Sequence, residues 1–282
     1  MTVTQKLQSK KSIGYLSGFG NLFARESRKW WRSRRWWMQS LLWLVILNGI
    51  VVFGLFVMPT LVEESGAEMQ QAAESGVQTM TAEQFQQDVP NLLFGLATFF
   101  LPVGVIILVQ GQVYAEKQSG ITAWILSKPV VRPAYLLAKF LADWIGIVLV
   151  LVILQMATAY LLLTSVIEVN TVGYITAVAL LIMLLLFYQS FTLMMSVMGN
   201  STEIVLGASM GLFLGGSLLK NPLAQIFGDA VFATPWMLPD AIALAVTGEP
   251  LPPQLQITVV AVPALTVACL LLMIWQFHRQ EL

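Results

Sequence analysis

The residue types that perform covalent and acid–base chemistry are scarce in this sequence. The chain has one histidine, His278, and one cysteine, Cys269, so it offers no cluster of histidine and cysteine ligands for a metal ion and no bis-histidine haem site. No G-x-x-x-x-G-K-[ST] phosphate-binding loop and no H-E-x-x-H motif occurs, and no apolar segment has a Ser/His pair or two aspartates in its middle. We therefore predict no catalytic residue and no metal site in this chain.

The densest group of functional side chains is basic and aromatic. Residues 25–40 read RESRKWWRSRRWWMQS and contain six cations and four tryptophans. Such a mixture can stack on the bases and neutralise the phosphates of single-stranded nucleic acid. It can equally hold a helix at a bilayer surface, with the indoles among the lipid headgroups and the cations at the phosphates.

Helical spacing favours the bilayer over nucleic acid. At 100° per residue, Phe19, Phe23, Trp30 and Trp37 fall on one stripe, and most cations fall on the opposite side. A two-faced helix that leads directly into an apolar segment suits a lipid interface, so we predict an N-terminal elbow helix and no nucleic-acid partner. The predicted membrane anchors are Arg25, Arg28, Trp30, Arg32, Arg35 and Trp37.

Composition places the rest of the chain in a membrane. Of its residues, 57% are hydrophobic and 11% are charged, and the mean hydropathy is +0.76, whereas soluble domains carry about 25% charged residues. Six segments are long and apolar enough to cross a bilayer, and they cover residues 40–61, 91–113, 134–167, 172–198, 203–219 and 255–277. The predicted fold is an all-α membrane protein with an arm and elbow helix (1–38) and a six-span domain (39–282).

The distribution of cations predicts the orientation. With the N-terminus inside, fourteen of the fifteen Lys and Arg residues lie on the cytoplasmic side. We therefore expect both termini in the cytoplasm and a multi-pass protein of the plasma (cytoplasmic or inner) membrane.

Two segments are predicted to lie outside the cell. Residues 62–90 form an acidic loop, in which Thr81 and Gln84 have the spacing of a capping box for a short helix that ends at Pro90. Residues 220–254 contain apolar pieces that are too short to cross and are broken by prolines, so we expect a part-inserted region. These prolines are Pro222, Pro235 and Pro239.

The predicted spans have no ionisable residue near their centres. Because ion and proton pathways usually need such groups, a proton-driven carrier is disfavoured. A sodium-coupled carrier that uses neutral oxygens and broken helices remains open, as does a membrane scaffold that transports nothing. If the protein transports, its energy is expected to come from elsewhere.

The cytoplasmic loop 114–133 carries the most specific pattern. Gly120 and Pro129 bound a short helix on which Ile121, Trp124 and Ile125 share one face, with Ser119 as a possible cap. An exposed apolar ridge suits a partner protein, and it equally suits a connector that lies on the lipid, so periodicity alone leaves both readings open.

This pattern resembles the permease subunits of ATP-binding cassette type-2 exporters. The matching positions are Glu116, Gly120, Leu126, Pro129, Arg132 and Lys139. That family has an elbow helix, six spans, both termini inside and an external region that dips towards the membrane. The chain departs from the family at Ile121, where Thr or Ser is common, so a side-chain cap would fall to Ser119 or be absent.

The resemblance implies a coupling helix at about residues 119–127 that rests in a groove of a separate ATPase subunit. That partner would bind ATP and Mg, and two permeases, identical or different, would form one pathway. Glu116 and Lys117 would orient the loop, and Trp124 and its neighbours would meet the ATPase. The implied coupling residues are Glu116, Lys117, Gly120, Ile121, Trp124, Ile125 and Pro129.

A row of glycines marks the fifth predicted span. Gly207, Gly211 and Gly215 recur every four residues on one helical face. Small residues at this spacing let helices approach closely, so the row predicts helix packing, either within the subunit or at a dimer seam.

Overall fold

The computed structural model describes residues 16–64 and 81–280, and these are helical with no strand. Six helices are long and apolar enough to cross a membrane, and each overlaps one predicted segment. From first to sixth span, they are Trp36–Val62, Ala82–Gln118, Arg132–Thr164, Thr171–Met198, Thr202–Ala233 and Pro253–Arg279. The predicted all-α fold with six membrane helices is therefore confirmed.

An N-terminal helix, Phe19–Arg32, precedes the first span. It begins after Gly18, whose φ of 87° lies in the left-handed region and whose position leaves no room for a Cβ beside Val130. The helix packs against the third span through Leu22, Glu26 and Trp30. A helix therefore lies where the basic and aromatic pattern predicts one, and its position at a lipid surface stays a prediction.

The first and third spans contain π-helical segments at Leu44–Asn48, Phe53–Val57 and Val148–Ile153. The Gln155 side chain joins these two spans, because its Nε2 donates to the carbonyls of Val150 (3.0 Å) and Ser40 (3.2 Å). Its Oε1 accepts a hydrogen bond of 3.2 Å from Asn48 Nδ2. A π turn changes the register of the backbone hydrogen bonds, and hydropathy gives no signal for it.

The second span begins earlier than predicted. Thr81 and Gln84 form the predicted capping box, so this prediction is confirmed. The prediction that Pro90 ends the helix is wrong, because the α-helix runs on from Ala82 to Val109 with Pro90 buried inside it. A proline removes one backbone hydrogen bond, and packing against neighbouring helices can offset that loss.

The fifth span is longer than predicted because its α-helix, Thr202–Phe227, continues through Pro222. The helices Gly228–Ala233, Pro235–Met237 and Leu238–Thr247 follow it. The Trp236 indole N–H donates to the Leu212 carbonyl at 3.0 Å, so the segment after the fifth span folds back onto that span. Pro222 is therefore not a break. Pro235 is the first residue of one new helix, and Pro239 is the second residue of the next.

The space beside Gly216 is filled by the Trp236 indole, which a Cβ at that position would overlap. We expect Gly216→Ala to lower the free energy of unfolding by roughly 1–3 kcal/mol, the usual cost of overpacking. Thermal unfolding in detergent measures the change. Gly95→Ala is the matched control because no atom lies within 4 Å of its Cβ position, and equal thermal stability of both variants would contradict the packing.

Candidate partner-docking loop and its buried ion cluster

A short helix, Ile121–Leu126, lies between the second and third spans. Gly120 is its N-cap residue, with a φ of 71° in the left-handed region and no capping side chain. Of the two alternatives, a cap from Ser119 or no side-chain cap, the structure shows the second, because the left-handed turn at Gly120 leaves Ser119 at the end of the preceding helix, Gln112–Gln118. Its Oγ donates instead to the Glu116 carbonyl at 3.2 Å.

The apolar residues of the short helix divide between solvent and core. Trp124 is 61% exposed and Ile121 is 38% exposed, whereas Ile125 is only 2% exposed. The prediction that Ile125 shares one exposed face with Ile121 and Trp124 is therefore wrong. The three residues cover a wide arc of the helix, and Ile125 lies at the edge of that arc where the side chain packs into the hydrophobic core. Ile121 and Trp124 remain available to a partner. We call these two residues, with Lys128 whose Nζ lies 3.5 Å from the Trp124 ring centroid, the docking face.

The loop is fastened to the chain just before the N-terminal helix. Ser17 Oγ donates to the Pro129 carbonyl at 3.2 Å, and the Val131 amide donates to the Ser17 carbonyl at 3.3 Å. A groove of about 640 Å³ lies between the two segments and is lined by residues that include Arg25 and Trp124. Pro129 therefore positions the loop through its carbonyl.

Behind the short helix lies a buried cluster of charges. The Lys139 ammonium is 3.0 Å from Glu116 Oε1 and 3.6 Å from Glu26 Oε2, and all three residues are buried. The Tyr135 hydroxyl donates to Glu116 Oε2 at 2.7 Å. These residues belong to the N-terminal helix, the second span and the third span, so the ion cluster joins three elements. Glu116 faces this cluster rather than a partner.

Trp30 adds a second tie between the N-terminal helix and the third span. Its indole N–H donates to Asp143 Oδ1 at 2.7 Å, and its ring lies where a Cβ on Gly146 would be. The prediction of Trp30 as a membrane anchor is wrong, because its indole is buried against the Asp143 carboxylate and Gly146. Of the other predicted anchors, Arg25, Arg28, Arg32 and Trp37 are not buried, and the side chain of Arg35 lies outside the described residues.

Two further cations join the span ends that lie nearest this loop. Lys117 Nζ donates to the Val197 carbonyl (3.1 Å) and to Gln280 Oε1 (2.7 Å). Arg132 Nη1 donates to the carbonyls of Phe277, His278 and Gln280 at 2.8–3.2 Å. The last carbonyls of a helix have no partner within it, so Arg132 completes the end of the sixth span.

Sequence reasoning missed the roles of Glu26, Asp143 and Tyr135. A signal was present, because Glu26 is the one acid within the basic residues 25–40, and Lys139 and Asp143 occupy positions i and i+4 of an apolar helix.

No group of three metal-binding side chains occurs among the residues the structure describes. Because the buried ion cluster joins the loop to the N-terminal helix and the third span, it can transmit movement of the docking face to both elements.

The glycine row of the fifth span is open. A Cβ at Gly207, Gly211 or Gly215 would meet no described atom of this chain within 4 Å. Close packing within the subunit, one of the two predicted uses, is therefore not found among the described residues. The other use, a seam with a second permease, remains.

Replacing one member of the buried ion pair should destabilise the fold. Glu116→Gln leaves the Lys139 ammonium with only the more distant Glu26, at 3.6 Å, so we expect the free energy of unfolding to fall by about 3 kcal/mol. Adding Lys139→Met should recover at least half of that loss. Denaturant titration in detergent micelles measures both changes.

The matched control for this prediction is Glu83→Gln, the same replacement at an exposed acid near the start of the same span. If Glu116→Gln is no more destabilising than this control, the ion pair does not hold this end of the spans together.

The sequence is similar to one known family of membrane proteins. A family model described as "ABC-2 family transporter protein" matches residues 20–235, which run from the N-terminal helix to the short helices after the fifth span. No curated protein matches the chain.

Proposed function

The chain belongs to the ABC-2 transporter family, and from this premise we propose that it is the permease subunit of an ATP-driven exporter and forms half of a dimeric pathway. Membership in the family makes it a multi-pass membrane component of an ABC transporter, without a catalytic role of its own. In the proposal, a separate ABC ATPase subunit binds ATP and Mg, and the loop between the second and third spans receives its movement.

The observation that carries this proposal is the pairing of an exposed docking face with a buried ion cluster. Trp124 and Ile121 point away from the permease, while Thr122 and Ile125 of the same helix are buried in it. A large aromatic side chain on an exposed face is the residue type that dominates binding energy in protein interfaces. The loop thus offers one side to a partner and keeps the other fixed to the spans.

The charges determine how movement of the loop would spread. Glu116 lies one turn before the short helix and is paired with Lys139 of the third span, which also lies near Glu26 of the N-terminal helix. A push on Trp124 would therefore move these elements together, because separating them would expose unpaired charges to a low dielectric. ATP binding and hydrolysis by two ATPase subunits would in this way switch access across the bilayer.

The neutral interior of the spans supports an external source of energy. Where the first and third spans meet deep inside, the polar contact is between two amides, Asn48 and Gln155. The buried ion cluster lies at the end of the spans that adjoins the docking face. A carrier driven by an ion gradient would need charged or coordinating groups deeper in the bilayer, so this distribution disfavours that rival.

We assign the glycine row to the dimer seam. Gly207 and Gly211 are exposed, and the neighbouring Leu214 and Leu218 on the same side are exposed as well. A glycine row lets two helices approach closely, and this chain brings no described helix of its own to it. The partner in the seam is a second copy of the chain or a sister permease.

The proposed orientation places the docking face inside the cell. It follows from the fourteen cations that fall on one side when the N-terminus is cytoplasmic. A cytoplasmic ATPase can reach the loop only in this orientation, so the charge bias and the coupling role support each other. The protein would lie in the plasma (cytoplasmic or inner) membrane.

Trp124→Ala should weaken binding of the ATPase subunit by at least about ten-fold, since buried aromatic anchors of interfaces contribute roughly 2 kcal/mol or more. Co-purification of the two subunits and ATP-dependent export in proteoliposomes measure the loss. Trp275→Ala is the matched control, because Trp275 is also exposed and lies under a cation, Arg279, at 3.9 Å.

Undiminished co-purification and export by Trp124→Ala would contradict the docking face. Two further results would contradict the proposed function itself. Gradient-driven accumulation by the permease alone in liposomes would identify an ion-coupled carrier. Binding of the ATPase without any nucleotide-dependent change in pathway accessibility would identify a scaffold.

Gly211→Cys, in a chain with Cys269→Ser, should form a disulfide-linked dimer upon mild oxidation in membranes, because a seam brings two such positions together. Gel electrophoresis without reductant detects the product, and a heterodimer requires the same change in the sister chain. Val260→Cys on the sixth span, which is 73% exposed, is the control and should remain monomeric. Equal cross-linking of both variants would reflect random collision.

A further inference from the structure

A shallow, open basic groove lies along the exposed side of the N-terminal helix. The groove has a volume of about 500 Å³. Its lining residues are Asn21, Ala24, Arg25, Arg28, Lys29 and Arg32. Four of the six are cations and none is an acid, so the groove attracts an anion. We call it the basic groove.

Two of the four cations have no acidic partner. Arg25 and Lys29 each lie 3.8 Å from a Glu26 carboxylate oxygen, and Lys29 also lies 3.5 Å from Glu116. Within the described part of the chain, no carboxylate lies within 4.0 Å of the guanidinium of Arg28 or Arg32. A guanidinium can donate two parallel hydrogen bonds to a phosphate, so this pair is suited to a phosphate group.

The surface beside the basic groove is aromatic. At 100° per residue, Trp31 lies about 60° around the helix from Arg28, and it is 41% exposed. Its ring centroid lies 6.3 Å from that of Trp36, at the start of the first span. Exposed indoles next to cations, at the start of an apolar helix, are typical of the headgroup level of a bilayer.

We propose that the basic groove binds the phosphate headgroup of an anionic phospholipid, with its acyl chains beside Trp31, Trp36 and the first span. This proposal goes beyond a general attraction of the arm to an acidic leaflet, because two guanidiniums with no described carboxylate within 4.0 Å line the same groove and define a discrete site. It does not rest on the proposed export function, since the groove belongs to the permease alone.

The position of Lys29 connects this site to the rest of the molecule. Lys29 lines the basic groove and also reaches Glu116, which pairs with Lys139 in the buried ion cluster. A bound headgroup therefore lies beside the residues that join the N-terminal helix to the second and third spans. The lipid would reinforce the same contact that the docking face depends on.

An acidic surface of the ATPase is the competing occupant. Arg25 and Asn21 also line the groove beside Trp124, and a partner on the docking face could reach them. Arg28 and Arg32 do not line that second groove. Arg28 instead lies one helical turn before Trp31. The unpaired guanidiniums therefore favour the lipid, and the variants below separate the two occupants.

The test uses the full-length permease in nanodiscs of phosphatidylcholine that contain a small fraction of phosphatidylglycerol. Native mass spectrometry, or the electron paramagnetic resonance of a spin-labelled phosphatidylglycerol, measures the lipid that the protein retains. Each cation near an anionic headgroup contributes roughly a five-fold gain in affinity, so Arg28→Gln/Arg32→Gln should weaken retention on the order of 20-fold. Arg34→Gln removes an exposed cation of the same arm that does not line the groove, and it should change retention by less than about two-fold.

Unchanged retention in the double variant would overturn the site. An equal loss in Arg34→Gln would also overturn it, because diffuse surface charge would then be the cause. Displacement of the labelled lipid by millimolar inorganic phosphate would show a site for free phosphate. Loss of ATPase co-purification in lipid-free detergent, with lipid retention intact, would assign Arg28 and Arg32 to the partner. Thermal unfolding checks that the double variant is folded.

Discussion

One buried ammonium constrains the whole end of this protein that carries the loop between the second and third spans. Lys139 is 1% exposed, and a charge removed from water is tolerated only when it is paired and hydrogen-bonded. The pairing comes from Glu116 of the second span and Glu26 of the N-terminal helix. These elements cannot separate without leaving a buried charge unpaired, so the position of the loop and that of the N-terminal helix are not independent.

The same rule accounts for the neighbouring contacts. Lys117 and Arg132 donate to carbonyls at the ends of the fourth and sixth spans, where the backbone has no helical partner. Each cation thereby satisfies polar groups that would otherwise need water. The result is that this end of the spans is held by polar contacts between five elements, and the docking face is the part of it that remains open.

Much of this arrangement could be predicted from the sequence, and the limits have physical causes. Hydropathy located all six spans, and the spacing of Thr81 and Gln84 located a helix start. Periodicity also placed Trp30 on the apolar face of its helix, but it could not tell whether lipid or protein covers that face. That distinction depends on Asp143 and Gly146, which lie more than a hundred residues away. The continuation through Pro90 and Pro222 likewise depends on context, because packing against neighbouring helices can offset the cost of a proline within a helix.

The polar groups are divided unequally along the spans, and this division bears on how the protein works. Charged contacts join the N-terminal helix to the second and third spans, whereas deeper contacts are made by neutral groups such as the amides of Asn48 and Gln155. The fifth span is the least buried of the six, and its glycine row is open. The ion-paired end of the spans can move as one unit, because its charges stay paired. The fifth span has few buried contacts, so it can exchange its packing partners with a small loss of contact. Movement that enters through the docking face is therefore expected to have its largest effect at the fifth span.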